Sequence, residues 1–301
     1  MIGEPIRLSA IVKGASMQIT PHVHCLWLEF EIKTPAGERI PRFVTSYILA
    51  GDTLTLIDTG VASTAPDIFA YIESIGRKPE EIAHVLLTHS HFDHIGGNGL
   101  IAERANPEFL GPEAERRMIE DLDYQHSVRP VGRMRDAVSG PVKLAGFLAG
   151  GDEIAPGGVA VGVVHTPGHS EGSLSFFVPE DGALISGDVL PEPGTLPIYE
   201  SVADTLASLE KLKALGGVSA LLSAMSRKVS RDEGVSRHIE SGQGYMREID
   251  GLVREAAAQK GRDVSPEEAA EFVFERLGLP RAGLIPIVLR SMKAHLHEEP
   301  M

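Results

Sequence analysis

Residues 88–94 read THSHFDH, and this stretch decides how the rest of the sequence is interpreted. It places His89, His91, Asp93 and His94 within six positions. Imidazole nitrogen and carboxylate oxygen are ligands that zinc, iron and manganese accept in proteins. On an extended segment His89 and His91 point to the same side, and the turn that follows can bring Asp93 and His94 around a second position. The stretch therefore predicts a metal site, in preference to a polar turn that holds histidines by chance.

The residues on either side of this stretch indicate where it lies in a fold. Residues 82–88 (IAHVLLT) form a continuous apolar run of strand length, which is typical of a buried central strand. Gly96 and Gly97 follow the stretch, and glycine lets the backbone turn tightly beside an ion. We therefore predict that the histidines lie between a central strand and a helix.

Two more polar side chains follow predicted strands in the same way. His169 lies in TPGHS, directly after a strand that ends near His165. Asp188 lies in SGD, directly after the strand-like segment ALI. A strand end can present a ligand rigidly to a shared cleft, so we expect His169 and Asp188 to lie near the first stretch.

The segments THSHFDH, TPGHS and SGD, together with LTLIDTG at residues 54–60, resemble the signature segments of the metallo-β-lactamase superfamily. They occur in that family's order and at its wide spacings, and the resemblance is to the glyoxalase II-like branch. It implies an α/β fold, a four-layer αββα sandwich with metals at one edge between two sheets. It also implies seven site residues, namely His89, His91 and His169 for a first metal, Asp93 and His94 for a second, Asp188 bridging the two, and Asp58 supporting the ligand loops.

The same resemblance implies a hydrolytic mechanism. Two cations that share a water lower its pKa toward neutrality and give a hydroxide beside a polarised carbonyl or phosphoryl oxygen. Asp93 is the catalytic residue expected to orient this nucleophile or move its proton, in addition to binding metal. We expect zinc, as one or two ions, with iron or manganese as alternatives. The expected reaction is hydrolysis of an ester, thioester, lactone or similar bond.

One segment departs from the family's pattern. Members usually end the site with another histidine after a late strand, but here that segment reads LLSAMS at residues 221–226, and Met225 stands at the histidine's position. A thioether is a soft ligand and a poor substitute for imidazole. We therefore expect the second metal to bind more weakly than the first.

Two other functions remain open at this point. Superfamily members that resemble persulfide dioxygenases use one iron, held by the equivalents of His89, His169 and Asp188, and all three residues are present. The segment that follows Asp188 does not resemble that subgroup. The missing histidine motivates the other alternative, a binding or regulatory protein of the same fold with weakened catalysis.

Histidines elsewhere in the chain are interpreted as structural. Adjacent strand positions face opposite ways, which argues against a metal cluster at His22, His24 and Cys25. His84 and His165 are interpreted as core residues. Four others are interpreted as surface or capping residues, although any one of them could take the place of the missing histidine: His126, His238, His295 and His297.

The order of strand and helix signals predicts the domain organisation. Strands alternating with helices indicate a metallo-β-lactamase-like domain over residues 1–230. Helical signals such as the capping box at Ser265 indicate a helical extension over residues 231–301. Residues 100–150 lack a strand rhythm and are interpreted as an insertion or lid. Its arginines could pair with an anionic substrate or form a solvated basic face, namely Arg129, Arg133 and Arg135.

Composition restricts the partners of this 301-residue chain. A formal net charge of −14 argues against nucleic acid or an anionic membrane surface, because both favour basic patches. The single cysteine, Cys25, excludes an internal disulfide and is typical of a reducing compartment. We expect a cytoplasmic protein that acts on a small-molecule substrate, and a homodimer is left open.

Overall fold

Two β-sheets form the centre of the structure, a computed structural model that describes residues 16–33, 39–130, 134–260 and 264–297. In the first sheet the strands lie side by side in chain order. Its described strands are β1 (Met17–Gln18), β2 (Val23–Lys33), β3 (Arg39–Ala50), β4 (Leu54–Ile57), β5 (Ile82–Leu86), β6 (Glu108–Pro112) and β7 (Gly146–Leu148).

The second sheet has the strand order β13-β12-β11-β10-β9-β8. Only β11 and β12 pair in parallel within it, as far as the described residues show. Its strands are β8 (Glu153–Ile154), β9 (Val161–His165), β10 (Leu174–Val178), β11 (Ala183–Ile185), β12 (Ala220–Leu222) and β13 (Ser230–Arg231).

Helices connect the strands and follow them at the carboxyl end of the chain. Within the described residues, no helix is both long enough and apolar enough to cross a membrane. The helices are α1 (Ala65–Ser74), α2 (Phe92–Ile95), α3 (Asn98–Ala105), α4 (Arg116–Glu120), α5 (Leu122–Val128), α6 (Met134–Ala137), α7 (Val202–Ala214), α8 (Glu233–Lys260), α9 (Pro266–Leu277) and α10 (Pro286–His297).

Three apolar clusters define four layers. Between the sheets, side chains such as Trp27 and Phe176 pack together. On the outer face of the first sheet, Ile68 of α1 and Ile101 of α3 pack on the strands. On the outer face of the second sheet, Leu209 of α7 contributes to a third cluster. The predicted αββα sandwich is confirmed, because each sheet is covered by helices on one face and by the other sheet on its opposite face.

Parallel pairing brings the ends of three strands to one edge of the first sheet. Strand β5 pairs in parallel with both β4 and β6. Asp58 follows β4, His89 follows β5, and Glu115 follows β6. Because parallel strands have their carboxyl ends at the same edge, these three side chains lie in neighbouring loops.

Residues 100–150, interpreted above as an insertion or lid, supply part of the central architecture. They include most of α3, together with the strands β6 and β7, which extend the first sheet beyond β5. The sequence EFLGP of β6 is short and contains glycine and proline, so it carries no detectable alternation. The described residues between β6 and β7, which include α4, α5 and α6, lie outside the sheet. Arg133 lies outside the described residues, as does the side chain of Arg135.

The carboxyl-terminal helices form a cluster of their own and also contact the segment after Asp188. Tyr245 of α8, Val273 of α9 and Met292 of α10 belong to one apolar core. The capping box predicted at Ser265 is present, with its side chain accepting the Glu268 N–H. Tyr199 packs against Met246 of α8 in a separate contact. The extension therefore packs both on itself and on a loop near the predicted site.

Candidate metal centre

Two loops carry most of the predicted ligands. The first ligand loop, residues 87–94, leaves β5, and the second ligand loop, residues 166–173, connects β9 to β10. The N–H of Leu174 donates to the carbonyl oxygen of Thr88 at 2.9 Å. This bond joins the two sheets at the edge where both loops lie.

Three imidazole nitrogens converge between these loops. His91 Nδ1 lies 3.0 Å from His89 Nε2 and 2.8 Å from His169 Nε2. His89, His91 and His169 therefore form one group whose potential ligand atoms all lie within 4.8 Å of one another. It contains the three residues that the resemblance implied for the first metal.

Hydrogen bonds on the far side of two rings orient these nitrogens. His169 Nδ1 lies 2.7 Å from the carbonyl oxygen of Ile198, which can only accept. His89 Nδ1 lies 2.9 Å from Thr88 Oγ1, whose hydroxyl in turn lies 2.7 Å from a carboxylate oxygen of Asp58. Since the Thr88 hydroxyl donates to that carboxylate, His89 Nδ1 is the donor to Thr88. Both rings then carry a lone pair on Nε2, directed toward His91.

A second group of potential ligands contains His89, His94 and Asp188. His94 Nε2 lies 3.3 Å from Asp188 Oδ1, and His169 Nε2 lies 3.6 Å from Asp188 Oδ2. Asp188 thus lies between the two groups, as the resemblance implied. The resemblance implied that Asp93, and not His89, belongs to the second metal. Among the described residues, His89 is a member of both groups of converging ligand atoms.

Asp93 lies in the short helix α2, next to His94 in sequence. Burial raises the pKa of its carboxyl group, the charge of His94 opposes this, and the charge of Asp188 adds to it. These interactions place Asp93 beside the second group, although it is not a member of either set of converging ligand atoms.

Asp58 supports the first ligand loop directly. Its carboxylate accepts the Thr88 N–H at 2.8 Å and the His94 Nδ1–H at 2.7 Å, in addition to the Thr88 hydroxyl. Asp58 is almost fully buried and has a positive φ of 59°. Aspartate tolerates this backbone conformation better than most residues. Its position matches the supporting role that the sequence suggested.

Electrostatics differ between the histidines. Burial lowers the pKa of His89 and of His91 well below the ordinary value, and the neighbouring histidines lower it further. Burial also disfavours protonation of His94, but the Asp188 and Asp58 carboxylates outweigh it and raise the pKa of His94 well above the ordinary value. His89 and His91 are therefore neutral imidazoles, which is the form that binds metal.

The donor set fits a divalent cation. His91 Nε2, His94 Nε2 and Asp188 Oδ1 are buried and have no hydrogen-bond partner among the described residues. Buried polar atoms without a partner are costly, and the lone pairs of His89 and His169 cannot satisfy each other. A cation bound by His94 Nε2 and Asp188 Oδ1 would satisfy these two atoms, and a cation bound by His91 Nδ1 would use the lone pairs of His89 and His169. The set of nitrogen and carboxylate donors suits zinc, iron or manganese.

Comparison with known proteins agrees with this geometry. A family model described as the metallo-β-lactamase superfamily matches residues 39–218. The chain belongs to this superfamily. The hydroxyacylglutathione hydrolases of Brucella ovis and Brucella abortus are each 32% identical over 158 residues, which are 52% of this chain and 53% of each relative. The chain thus spans about half the length of the curated relatives it matches.

Solved structures share the metallo-β-lactamase fold. A metallo-β-lactamase family protein from Thermus thermophilus has a TM-score of 0.69 at 21% identity, covering 90% of this chain and 91% of its own. A β-lactamase domain protein from Burkholderia ambifaria has a TM-score of 0.70 at 21% identity, covering 96% and 88%. The α/β sandwich and the superfamily predicted from the sequence are confirmed.

The segment that departs from the superfamily pattern lies beside the candidate ligands. Ala224 donates its N–H to the carbonyl oxygen of Gly187 at 3.1 Å, which brings the end of β12 next to Asp188. Met225 follows and is half-buried. Position 225 therefore directly follows a residue that lies, in space, beside Asp188 of the second group.

The other histidines considered from sequence lie outside both groups. His295 is buried between Tyr199 and Asp250, and His238 lies between Ser230 and Glu192. Neither is part of a converging ligand set among the described residues, and the same holds for His22, His24, His84, His126, His165 and His297. Cys25 is buried, and burial raises the pKa of its thiol, so it does not present a thiolate.

Sequence reasoning missed two polar side chains around Ser90, the residue between His89 and His91. Glu115 accepts the Ser90 N–H at 3.2 Å and also the Ser90 hydroxyl, and the side-chain amide of Gln125 donates to the Ser90 carbonyl oxygen. Glu113 and Glu115 lie in the same short helical turn, and Glu113 is exposed whereas Glu115 is buried. The sequence contains no pattern that predicts which of the two glutamates is buried. Only the packing of this turn on the first ligand loop distinguishes them.

Proposed function

We propose that this protein is a metal-dependent hydrolase. His89, His91 and His169 would hold one divalent cation, Asp93 and His94 would hold a second, and Asp188 would lie between the two. The observation that carries the proposal is the convergence of His89 Nε2 and His169 Nε2 on His91 Nδ1, at 3.0 Å and 2.8 Å. The far nitrogens of His89 and His169 are already bonded to Thr88 and Ile198, which leaves their Nε2 atoms directed toward a cation.

A bound divalent cation would polarise a carbonyl oxygen and lower the pKa of a coordinated water. The chain's own residues would complete the site. Asp58 and Thr88 orient His89 and His94, and the Ile198 carbonyl orients His169. Asp93, whose pKa is raised by burial, is suited to hold a proton at its carboxyl group and pass it to a leaving group.

We further propose an ester, thioester or related bond in a substrate that carries an anionic group. A pocket of about 390 Å³ is lined by Glu200, Arg290, Lys293, Ala294 and His297. Arg290 is close enough to the candidate centre for its charge to lower the pKa of His91. The relatives described as hydroxyacylglutathione hydrolases support a thioester as the first substrate to test.

The test combines elemental analysis of the purified protein with assays on esters, thioesters, lactones and persulfides. Zinc or manganese together with ester or thioester turnover, abolished by His169→Ala, is the expected result. Lys293→Ala should raise KM for an anionic thioester more than for a neutral ester, whereas the exposed control Lys228→Ala should not. Iron with oxygen uptake on persulfides would replace hydrolysis by a dioxygenase function. Bound metal without turnover of any substrate would favour a binding protein.

A further inference from the structure

Ser90 is fixed at each of its polar groups. Its N–H and its hydroxyl donate to Glu115, its carbonyl oxygen accepts from Gln125, and its hydroxyl oxygen accepts from Arg129 Nη1 at 3.1 Å. Ser90 separates His89 from His91, so a displacement of its backbone would move both rings. The contacts around Ser90 therefore set the position of two candidate ligands.

Glu115 also reaches the second ligand loop. Its Oε1 accepts the N–H of Gly172 at 3.2 Å, while its Oε2 accepts the N–H of Ser90 at 3.2 Å. Glu115 is 3% exposed. One buried carboxylate thus bonds with a different oxygen to each of the two loops whose histidines form the first group.

The backbone at Gly172 is shaped to receive this carboxylate. A Cβ at position 172 would overlap Cγ of Glu115 and would come within 3.1 Å of Pro112 Cβ. Glycine therefore permits the approach that the bond between Gly172 and Glu115 needs. This packing is an observation independent of the hydrogen bonds.

Arg129 compensates the buried charge of Glu115. Its Nη1 lies 3.8 Å from Glu115 Oε2, its Nη2 donates to Glu200 at 2.9 Å, and its side chain is 10% exposed. A carboxylate buried without a cation would be strongly disfavoured. Arg129 thus places a cation beside a carboxylate whose two oxygens both accept hydrogen bonds from the ligand loops.

We propose that Glu115 is a positioning residue that holds the two ligand loops at the separation needed for His89, His91 and His169 to share one cation. The proposal rests on the proposed metal binding and adds a residue outside the ligand set. The carboxylate spans loops that belong to different sheets, so its removal changes the distance between ligands without removing any of them. Residues that orient ligands in this way typically contribute about 10–100-fold to metal affinity.

The decisive variant is Glu115→Gln. The amide keeps the shape of the side chain, but it has one acceptor oxygen, and its NH₂ group must face a donor on one of the two loops. The matched control is Glu113→Gln, the same change at an exposed position of the same turn. Metal-free wild type and both variants would be titrated with Co²⁺ and with Zn²⁺ against a competing chelator. The cobalt absorption spectrum reports ligand geometry, and calorimetry of the metal-free proteins reports folding.

For Glu115→Gln we expect about 10–100-fold weaker binding of the first metal equivalent and an altered cobalt spectrum. Glu113→Gln should match the wild type. A merely structural role would lower the melting temperature of the metal-free protein and leave affinity and spectrum unchanged, which would overturn the proposal. If wild type itself binds neither metal, the proposed function fails and this inference fails with it.

Gly172→Ala tests the contact between Glu115 and the second ligand loop by changing the loop instead of the glutamate. It replaces Glu115→Gln as the test if that variant does not fold. The added methyl group displaces Glu115, so metal binding should weaken in the same direction. Combined with Glu115→Gln it should cause less than the sum of the two losses, because both changes break one contact. Unchanged metal affinity in folded Gly172→Ala would contradict the proposal.

Discussion

At the scale of single residues, Met225 allows a direct test of the second group. The N–H of the neighbouring Ala224 donates to the carbonyl oxygen of Gly187, the residue before Asp188. An imidazole at position 225 would therefore lie on a loop that contacts the second group of ligands. We expect Met225→His to tighten binding of the second metal equivalent by on the order of tenfold or more, given the size of even indirect effects on metal sites. Met225→Leu keeps a similar volume without a donor and should not tighten it. Equal metal content in all three proteins after dialysis against a chelator would contradict this expectation.

Cys25 gives a second residue-scale prediction. It is 2% exposed, and burial raises the pKa of its thiol. Because the thiolate is the reactive form, a thiol reagent should not react with the folded protein over minutes at neutral pH. In denaturant the same reagent should titrate one thiol per chain, which controls for prior oxidation. Rapid reaction in the absence of denaturant would show that β2 opens easily.

At the scale of elements, α8 and α10 fix the segment that orients His169. Tyr199 Oη lies 2.7 Å from His295 Nε2, and His295 Nδ1 lies 3.0 Å from Asp250 Oδ1. Ser291 of α10 accepts the Tyr199 N–H at 2.9 Å. Tyr199 directly follows Ile198, whose carbonyl accepts from His169. The helical extension thereby contributes to the candidate centre without supplying a ligand.

This connection predicts a specific loss of stability. His295→Ala removes a buried ring that bonds to two polar partners, and it should lower the free energy of unfolding by about 1–3 kcal/mol in urea titration. His297→Ala makes the same change two residues later at an exposed position, and there we expect a change within about 0.5 kcal/mol. Equal stability of the two variants would show that the contacts of His295 with Tyr199 and Asp250 make no net contribution to stability.

Acid should weaken the same contact. The pKa of Asp250 is raised by burial, but Arg254 and His295 outweigh this and lower it below the ordinary value. A carboxyl whose folded pKa is depressed stabilises the fold above its unfolded pKa, near 3.9, and this stabilisation is lost as pH falls through the folded pKa. Below about pH 4, Asp250→Asn should therefore lose less stability than wild type on acidification, as measured by urea unfolding at several pH values. Parallel pH curves for the two proteins would argue against this contribution.

The elements also show what the sequence could predict. Long apolar runs such as residues 82–88 and clear helix boundaries such as Ser265 predicted β5 and α9, because local patterns determine them. The strands β6 and β7 were missed, since they are short and their pairing depends on β5. In the site, the histidines were recognisable as a motif. Glu115 was not, because its role depends on a tertiary contact with Ser90 and Gly172.

At the scale of the whole molecule, the candidate ligands come from both sheets. His89 and His91 follow β5 of the first sheet, whereas His169 and Asp188 lie in loops of the second. A cation bound by this set would join the sheets, and it would stabilise the folded state because the unfolded chain has no preformed site.

Metal removal should therefore lower the melting temperature of the protein. A ligand present at about 100 times its dissociation constant contributes roughly 2.7 kcal/mol of stability, and this contribution disappears on chelation. Scanning calorimetry of the protein before and after chelation, and again after zinc is restored in increasing concentration, would measure the effect. Chelator saturated with zinc beforehand controls for effects of the chelator itself. A melting temperature that does not depend on zinc would mean that the buried imidazoles of the two loops do not share a cation in the folded state.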